Sequence, residues 1–193
     1  MIALLTVVAG CSSAGHGSPT AVPPASTPPC QSPQAGPATS DLPEPSLPPA
    51  TQVTALGEAL SIKGEAPGEQ VTVTFLQVVD PACGVGGSSS LLAGMKYVGL
   101  ELRLTNSGRT QYADAPSNCT WGWTDSGRQV GSYVWPTISA GPAIAPHADL
   151  ELAPGQSATG YVVMEIPENA RLTRIDFTPD SGFASETGEW KLS

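Results

Sequence analysis

The clearest pattern in the chain is a strict two-residue alternation of apolar and non-apolar residues. In the stretch 98–105, Val-Gly-Leu-Glu-Leu-Arg-Leu-Thr, every second residue is a large aliphatic one. Because successive side chains of a strand point to opposite faces of a sheet, this alternation predicts a half-buried β-strand. Similar short runs recur from residue 60 to residue 192, separated by turn signals such as Asp125-Ser126-Gly127. No stretch sustains a 3.6-residue period, so we predict an all-β fold, an antiparallel sandwich of seven to nine strands.

The residues before this region have a different composition. Of the 20 prolines, 11 lie between Pro19 and Pro49, and no Lys or Arg occurs before Lys63. A segment so poor in apolar periodicity cannot bury enough surface to offset the entropy of ordering. We therefore predict a disordered Pro/Ser/Thr/Ala-rich linker over residues 11–54, which acts as a stalk. The β-sandwich domain is predicted to cover residues 55–193.

The first ten residues are apolar and are followed by a cysteine. Ten residues are too few to span a bilayer, but they are typical of the apolar region of a signal peptide. The sequence Val8-Ala9-Gly10-Cys11 resembles a bacterial lipobox, in which small residues precede a cysteine that receives lipid. That resemblance implies a covalent lipid on Cys11 and a location on the outer face of the bacterial cell membrane. No basic residue precedes the apolar run, so we expect a signal peptide truncated at its start, with the true start codon upstream. The alternative is an ordinary signal peptide followed by an incidental cysteine.

The chain has four cysteines, Cys11, Cys30, Cys83 and Cys119. If Cys11 carries lipid, three cysteines remain, and an odd number cannot all pair with one another within one chain. We predict a disulfide between Cys83 and Cys119, because both lie inside the predicted domain and an exported protein reaches an oxidising compartment. Spacing does not fix the connectivity, and pairing of Cys30 with either of the two stays open.

The net charge of the chain limits the kinds of molecule that it is expected to bind. The formal net charge is −9, from 17 acidic and 8 basic residues. An acidic surface repels nucleic-acid phosphates and anionic headgroups, so we expect no nucleic-acid partner and membrane contact through the lipid anchor alone. The cysteines lack the spacing of a zinc site, and Asp125-Ser-Gly and Asp180-Ser-Gly lack the further ligands of a calcium loop. We expect no metal and no cofactor other than the lipid on Cys11.

Catalytic motifs are sparse. The two histidines are His16, in the predicted linker, and His147, in a predicted loop. A Ser-His-Asp triad inside the domain could use only His147. Neither a Gly-x-Ser-x-Gly elbow nor a Ser-x-x-Lys motif is present. We therefore predict a non-enzymatic protein and no catalytic residues, with a hydrolase that uses His147 as a remote alternative.

A group of aromatic residues is the main candidate for a binding site. It lies between residues 112 and 135, and its candidate binding residues are Trp121, Trp123, Tyr133 and Trp135. Trp121 and Trp123 are two positions apart and would project from the same face of one strand. If they are exposed, they form a platform for a sugar or a protein. If they are buried, they pack in the core, and core or mixed burial is the favoured interpretation.

Several structural motifs resemble one family. They are Leu102-Arg103-Leu104-Thr105-Asn106-Ser107-Gly108, a strand that ends in a turn; Ala153-Pro154-Gly155-Gln156-Ser157 with the following strand 160–167; and Trp190-Lys191-Leu192. Together these are similar to the telokin-like domain of bacterial lipoproteins, which is related to the actinobacterial immunoprotective extracellular antigen. Met164 stands where that family usually has Phe, and 83–94 resembles an inserted loop. The resemblance covers roughly residues 58–193 and implies an immunoglobulin-like sandwich in an extracytoplasmic protein. It implies no catalytic residues.

These observations predict a lipid-anchored extracytoplasmic domain that binds a protein or a cell-envelope glycan. The second hypothesis is a purely structural or antigenic surface module without a ligand. Burial of the side chains of Trp121 and Trp123 distinguishes the two hypotheses.

Overall fold

A computed structural model describes residues 50–85, 92–132, 137–145 and 149–192. All of these residues belong to one folded unit, Pro45–Ser193. Its elements are, in chain order, β1 Ala50–Ala55, β2 Ala59–Lys63, β3 Gln70–Ala82, β4 Met95–Asn106, β5 Tyr112–Asp114, α1 Pro116–Cys119, β6 Thr120–Thr124, β7 Gln129–Gly131, β8 Leu150–Leu152, β9 Ser157–Pro167, β10 Leu172–Phe177, α2 Pro179–Gly182 and β11 Glu186–Lys191.

Two sheets build the sandwich. The five-stranded sheet has the order β1-β11-β10-β6-β7, and the four-stranded sheet has the order β2-β3-β4-β9. All neighbours in these sheets are antiparallel except β1 and β11, which are parallel. The nine strands of the two sheets agree with the predicted all-β sandwich, and β5 and β8 add a short two-stranded ladder.

The first strand changes the predicted domain boundary. β1 pairs along its whole length with β11, from the pair Ala50 and Glu186 to the pair Ala55 and Lys191. The structure therefore differs from the predicted boundary: residues 50–54, which the sequence analysis placed in the linker, belong to β1 of the sandwich. The alternating pattern missed β1 because Val53 is its one large apolar residue, and because β1 is an edge strand whose partner lies far along the chain.

The core lies between the two sheets and is formed by the apolar positions of the alternating strands. In β4 the four predicted core residues, Val98, Leu100, Leu102 and Leu104, are fully buried. Trp190 of β11 packs edge-on against Phe75 of β3, with the ring centroids 4.9 Å apart. Its indole Nε1–H donates to the carbonyl oxygen of Glu58 at 2.9 Å. Trp190 therefore joins the two sheets without leaving a buried donor unpaired.

The turn after β4 is held by a buried amide. The Asn106 side chain is 1% exposed, and its Nδ2 donates to the carbonyl oxygens of Thr110 and Leu152, both at 2.8 Å. Its Oδ1 accepts from the backbone N–H of Gly108 at 2.9 Å. The Thr-Asn-Ser-Gly motif is thus a structural device that fixes the turn and connects it to β8.

Candidate functional site

Alternation along β6 places both predicted tryptophans on the outer face of the five-stranded sheet. Thr120, Gly122 and Thr124 are buried, whereas Trp121 and Trp123 are half-buried. A Cβ at Gly122 would lie 2.8 Å from Met164 Sδ and 2.9 Å from Leu172 Cδ2, so a larger residue there would require these core side chains to shift. The prediction that they share one face is confirmed, and their burial is mixed.

Trp123 is held by two neighbours from β10. Its Nε1–H donates to Oδ2 of Asp176 at 2.7 Å, and the Arg174 guanidinium lies 4.3 Å from the ring centroid. This cation–π contact covers one face of the indole, so that face does not offer a stacking surface. Trp123 therefore supports the site, and Trp121 is the better candidate for direct contact with a ligand.

Trp121 borders an open cleft of about 430 Å³ on the outer face of the sheet. The cleft extends over all five strands of the sheet. Its lining residues are Thr51, Trp121, Gln129, Arg174, Asp176, Thr178, Gly182, Thr187 and Glu189. One aromatic ring is therefore surrounded by hydroxyl, amide, carboxylate and guanidinium groups. We call this feature the outer-face cleft.

The charged groups of the outer-face cleft form one network. Arg174 Nη2 donates to Asp176 Oδ2 at 3.1 Å, and its Nη1 lies 3.4 Å from Glu189 Oε2. Arg174 Nε and Asp176 Oδ1 are 3.0 Å apart, but their orientation does not make a hydrogen bond. Burial raises the pKa of Asp176, and the Trp123 N–H and the Arg174 charge oppose that rise. A polar ligand could use the remaining hydrogen-bonding capacity of these groups.

A second, smaller pocket of about 160 Å³ also borders Trp121. It is lined by Ser117, Asn118, Trp121, Gly131, Ser132 and Ser181. We call it the serine pocket. Trp121 is the residue that it shares with the outer-face cleft.

The turn α2 borders both cavities and has an unusual backbone. Asp180, Ser181 and Gly182 have φ angles of 55°, 53° and 92°, so the turn is left-handed. A non-glycine residue in this conformation costs roughly 1–2 kcal/mol. The next residue, Phe183, is 78% exposed. Surrounding contacts must therefore hold this turn against its own backbone preference.

The buried carboxylate of Asp114 supplies those contacts. Oδ1 accepts from the backbone N–H of Ser181 at 3.1 Å and from its hydroxyl at 3.0 Å. The Tyr112 hydroxyl and the Cys119 thiol donate to Oδ2, at 3.3 and 2.9 Å, and the Ala115 N–H donates to Oδ1 at 2.8 Å. Asp114 is 5% exposed, and it ties α2 to α1 and β5.

The electrostatics around Asp114 follow from this burial. Burial, followed by the neighbouring carboxylate of Asp114, raises the pKa of the Cys119 thiol. Burial is also the main cause of the raised pKa of Tyr112. Both groups therefore stay protonated at neutral pH and act as donors to Asp114. At the nearby surface, burial and the carboxylate of Asp180 raise the pKa of Glu69.

The predicted disulfide between Cys83 and Cys119 is wrong in this structure, where both cysteines are free. Cys83 is exposed just after β3, whereas Cys119 is fully buried at the end of α1. The Cys119 thiol donates to Asp114 and also lies 3.3 Å from the carbonyl oxygen of Ala115. A thiol in this position acts as a small buried side chain with a donor, rather than as half of a cross-link.

Several predicted site residues lie outside the described residues. They are Cys11, Cys30, Tyr133, Trp135 and His147. Within the part of the chain that the structure describes, no group of three or more His, Cys, Asp or Glu is arranged to hold a metal ion. None of the helices described is long and apolar enough to cross a membrane.

Sequence reasoning missed the polar half of the site. Arg174 and Asp176 are two positions apart in β10 and face outward, and that spacing could have placed them on the outer face. Nothing in the local sequence marks Asp114, because the turn that it holds, at Ser181 of α2, lies 67 residues further along the chain. In the structure the Asp180-Ser181-Gly182 stretch forms a turn.

Comparison with known proteins supports the fold. No protein-family model matches the sequence, and no curated protein shows significant similarity to it. The structure is similar to that of MPT63, a secreted protein from Mycobacterium tuberculosis, with a TM-score of 0.53 and 12% identity. The match covers 74% of this chain and 98% of MPT63.

Two other solved structures are similar at lower TM-scores. The yjhA protein from Bacillus subtilis has a TM-score of 0.47 and 14% identity, with 75% of this chain and 99% of that protein covered. An uncharacterised β-sandwich protein from Clostridium difficile 630 has a TM-score of 0.43 and 11% identity, with 78% and 100% covered. The likeness to MPT63 confirms the predicted immunoglobulin-like β-sandwich, and at this identity it speaks for the fold alone.

Proposed function

We propose that this chain is a lipid-anchored, extracytoplasmic, non-enzymatic domain that binds a cell-envelope glycan in the outer-face cleft. The observation that carries the proposal is the chemistry of that cleft, in which one half-buried indole is surrounded by polar groups. Sugar hydroxyls both donate and accept hydrogen bonds, so they match carboxylate, guanidinium and amide side chains. The apolar face of a sugar ring matches an aromatic ring such as that of Trp121.

The composition of the cleft favours a glycan over a protein. The core of a protein–protein interface is depleted of charged residues. The outer-face cleft instead contains Arg174, Asp176 and Glu189 close together. A protein partner remains the second candidate, because Phe183 is a large exposed aromatic residue beside the same turn.

Two single substitutions distinguish a glycan ligand from a protein partner. We expect Trp121→Ala to weaken glycan binding by about ten-fold, which corresponds to about 1.4 kcal/mol. Phe183→Ala is the matched control, because Phe183 is aromatic and exposed but does not line the cleft. We expect it to leave glycan binding unchanged.

The measurement uses the full chain with Cys11→Ala, which removes the lipid site. Binding is measured by calorimetry and tryptophan fluorescence against glucan, mannan, arabinan and chitin oligosaccharides. Equal affinity of the Trp121→Ala and parent proteins for a bound oligosaccharide would contradict the proposed site. If no oligosaccharide binds and Phe183→Ala abolishes capture of a protein partner, the second candidate is correct.

The proposed anchor rests on the lipobox resemblance at Val8-Ala9-Gly10-Cys11. We expect cells that express the chain to incorporate radiolabelled palmitate into it, and Cys11→Ala to abolish the label. Cys30→Ala is the matched control and should keep the label, because Cys30 lies outside the lipobox. Several acyl chains at about 0.8 kcal/mol per buried methylene give stable anchoring. Equal labelling of Cys11→Ala and the parent would refute the anchor.

A further inference from the structure

The outer-face cleft and the serine pocket both border Trp121. In the ladder between β6 and β7, Trp121 pairs with Gly131, which lines the serine pocket, and Trp123 pairs with Gln129, which lines the outer-face cleft. In the turn α2, Gly182 lines the cleft and the preceding Ser181 lines the pocket. Along β7 and along α2, the lining residues therefore change from those of one cavity to those of the other close to Trp121.

The two cavities differ in chemistry. The serine pocket is lined by hydroxyl groups, one amide and Trp121, without a charged side chain among its lining residues. The outer-face cleft contains the network of Arg174, Asp176 and Glu189. A ligand that fills both must therefore present a neutral polar unit at one end and can carry a charged or more strongly hydrogen-bonding unit at the other.

Two hydroxyl groups that line the serine pocket are held in place by internal hydrogen bonds. The Ser132 hydroxyl donates to the carbonyl oxygen of Val163 at 2.7 Å, and the Ser181 hydroxyl donates to Asp114 at 3.0 Å. Each hydroxyl oxygen keeps acceptor capacity after it donates its proton, and because Ser132 is only 2% exposed, the half-buried Ser181 is the more accessible acceptor. Both hydroxyls are thus fixed in position, which reduces the entropy lost when a ligand binds.

The volumes fit a chain of rings. An apolar cavity of about 150 Å³ holds one benzene ring, which is smaller than a sugar ring with its hydroxyl groups. The serine pocket, at about 160 Å³, is slightly larger than that cavity, and the outer-face cleft, at about 430 Å³, has room for further units. We propose that the ligand is a linear oligosaccharide of at least two units that passes over Trp121, with one neutral unit in the serine pocket. This inference rests on the proposed glycan function and specifies its ligand.

A length series tests the inference. Monosaccharide, disaccharide and tetrasaccharide of the type selected by the oligosaccharide panel are titrated into the full chain with Cys11→Ala. We expect the disaccharide to bind at least ten-fold more tightly than the monosaccharide, because it fills both cavities. Asn118→Ala, in the serine pocket, should weaken disaccharide binding about five-fold or more and leave monosaccharide binding in the cleft nearly unchanged. Gln129→Ala, the matched variant in the cleft, should weaken both.

The results of these titrations distinguish a failure of the two-cavity ligand from a failure of the proposed glycan binding. If the monosaccharide and the tetrasaccharide bind equally and Gln129→Ala weakens both while Asn118→Ala weakens neither, glycan binding stands and the two-cavity ligand is wrong. If no saccharide of any length binds, both proposals are wrong. Because Asn118 and Gln129 are exposed, neither substitution should prevent folding, and thermal unfolding of each variant checks this.

Discussion

Replacing Asp114 with alanine is expected to lower the free energy of unfolding by about 3–5 kcal/mol. The substitution removes the carboxylate that accepts from the buried Tyr112 and Cys119 side chains and from the half-buried Ser181. Each unsatisfied buried donor costs about 1–3 kcal/mol, and the costs are not additive, because the donors share one carboxylate. The left-handed turn α2 also loses the contact that holds Ser181.

Denaturant unfolding monitored by tryptophan fluorescence measures this effect. Asp114→Asn should lie between the parent and Asp114→Ala, because its one oxygen can satisfy some of the donors, whereas its NH₂ group faces the others. Asp125→Ala is the matched control: Asp125 is exposed in a turn, and its carboxylate is a distant acceptor, 3.4 Å from the Arg171 N–H. We expect it to change stability by less than about 1 kcal/mol. Equal stability of the Asp114→Ala and Asp125→Ala proteins would show that Asp114 does not hold the turn.

Thiol labelling gives a second measurement on the same variants. In the parent, a thiol reagent should modify the exposed Cys83 and leave the buried Cys119 unmodified under native conditions. In Asp114→Ala, local opening around α1 and α2 should expose Cys119 and increase its labelling rate at least ten-fold. If Cys119 stays as protected as in the parent, the Asp114 contacts are not what closes this region.

Most strands were predictable, because the alternation of apolar and polar residues within a strand indicates which of its side chains are buried. In β3 and the second half of β4, buried residues alternate with less buried ones, as the sequence pattern predicts. In β9 the residues 160–164 are all buried, because Tyr161 and Val163 pack in a second cluster with Tyr97 and Ile138. β1 was not predictable, because its residues carry little apolar signal and its stability comes from pairing with β11. Pairing between segments so far apart leaves no local trace.

The candidate site also has features that the sequence predicted and features that it did not. Alternation alone placed Trp121 and Trp123 on one face, but it could not tell that Arg174 would cover one ring and leave the other beside a cleft. Counting cysteines favoured a bond between Cys83 and Cys119, yet the fold uses Cys119 as a buried donor to Asp114. In both cases the deciding partner lies on another element of the fold, so only the tertiary structure reveals it.

Substitution of Asn106 should show that the Thr-Asn-Ser-Gly motif is structural. Asn106→Ala removes the donor to the carbonyl oxygens of Thr110 and Leu152 and the acceptor of the Gly108 N–H. We expect a loss of about 2–4 kcal/mol in the free energy of unfolding. The effect should be independent of ligand binding, because Asn106 lines neither the outer-face cleft nor the serine pocket.

Asn106→Asp is the sharper test, because it keeps the shape and changes only the hydrogen-bonding pattern. An ionised carboxylate would place an oxygen against two carbonyl oxygens at about 2.8 Å, so the folded state should raise the pKa of the introduced carboxyl above the ordinary value of about 3.9. A raised pKa means that the folded state binds the proton more tightly than the unfolded state. Relative to the parent, the variant should therefore lose stability as pH rises above about 4 and recover it in acid, where the carboxyl can donate to one carbonyl.

The pH dependence separates a buried hydrogen bond from a general loss of packing. Urea unfolding of the parent, Asn106→Ala and Asn106→Asp at pH 4.5 and pH 7.5 measures it. The deficit of Asn106→Ala should be the same at both pH values, since alanine has no proton to exchange, whereas the deficit of Asn106→Asp should be smaller at pH 4.5. Asn118→Asp, on the exposed side of α1, is the matched control and should show a much weaker pH effect. A pH-independent deficit in Asn106→Asp would mean that its side chain reaches water, and the buried amide would then not be what holds the turn.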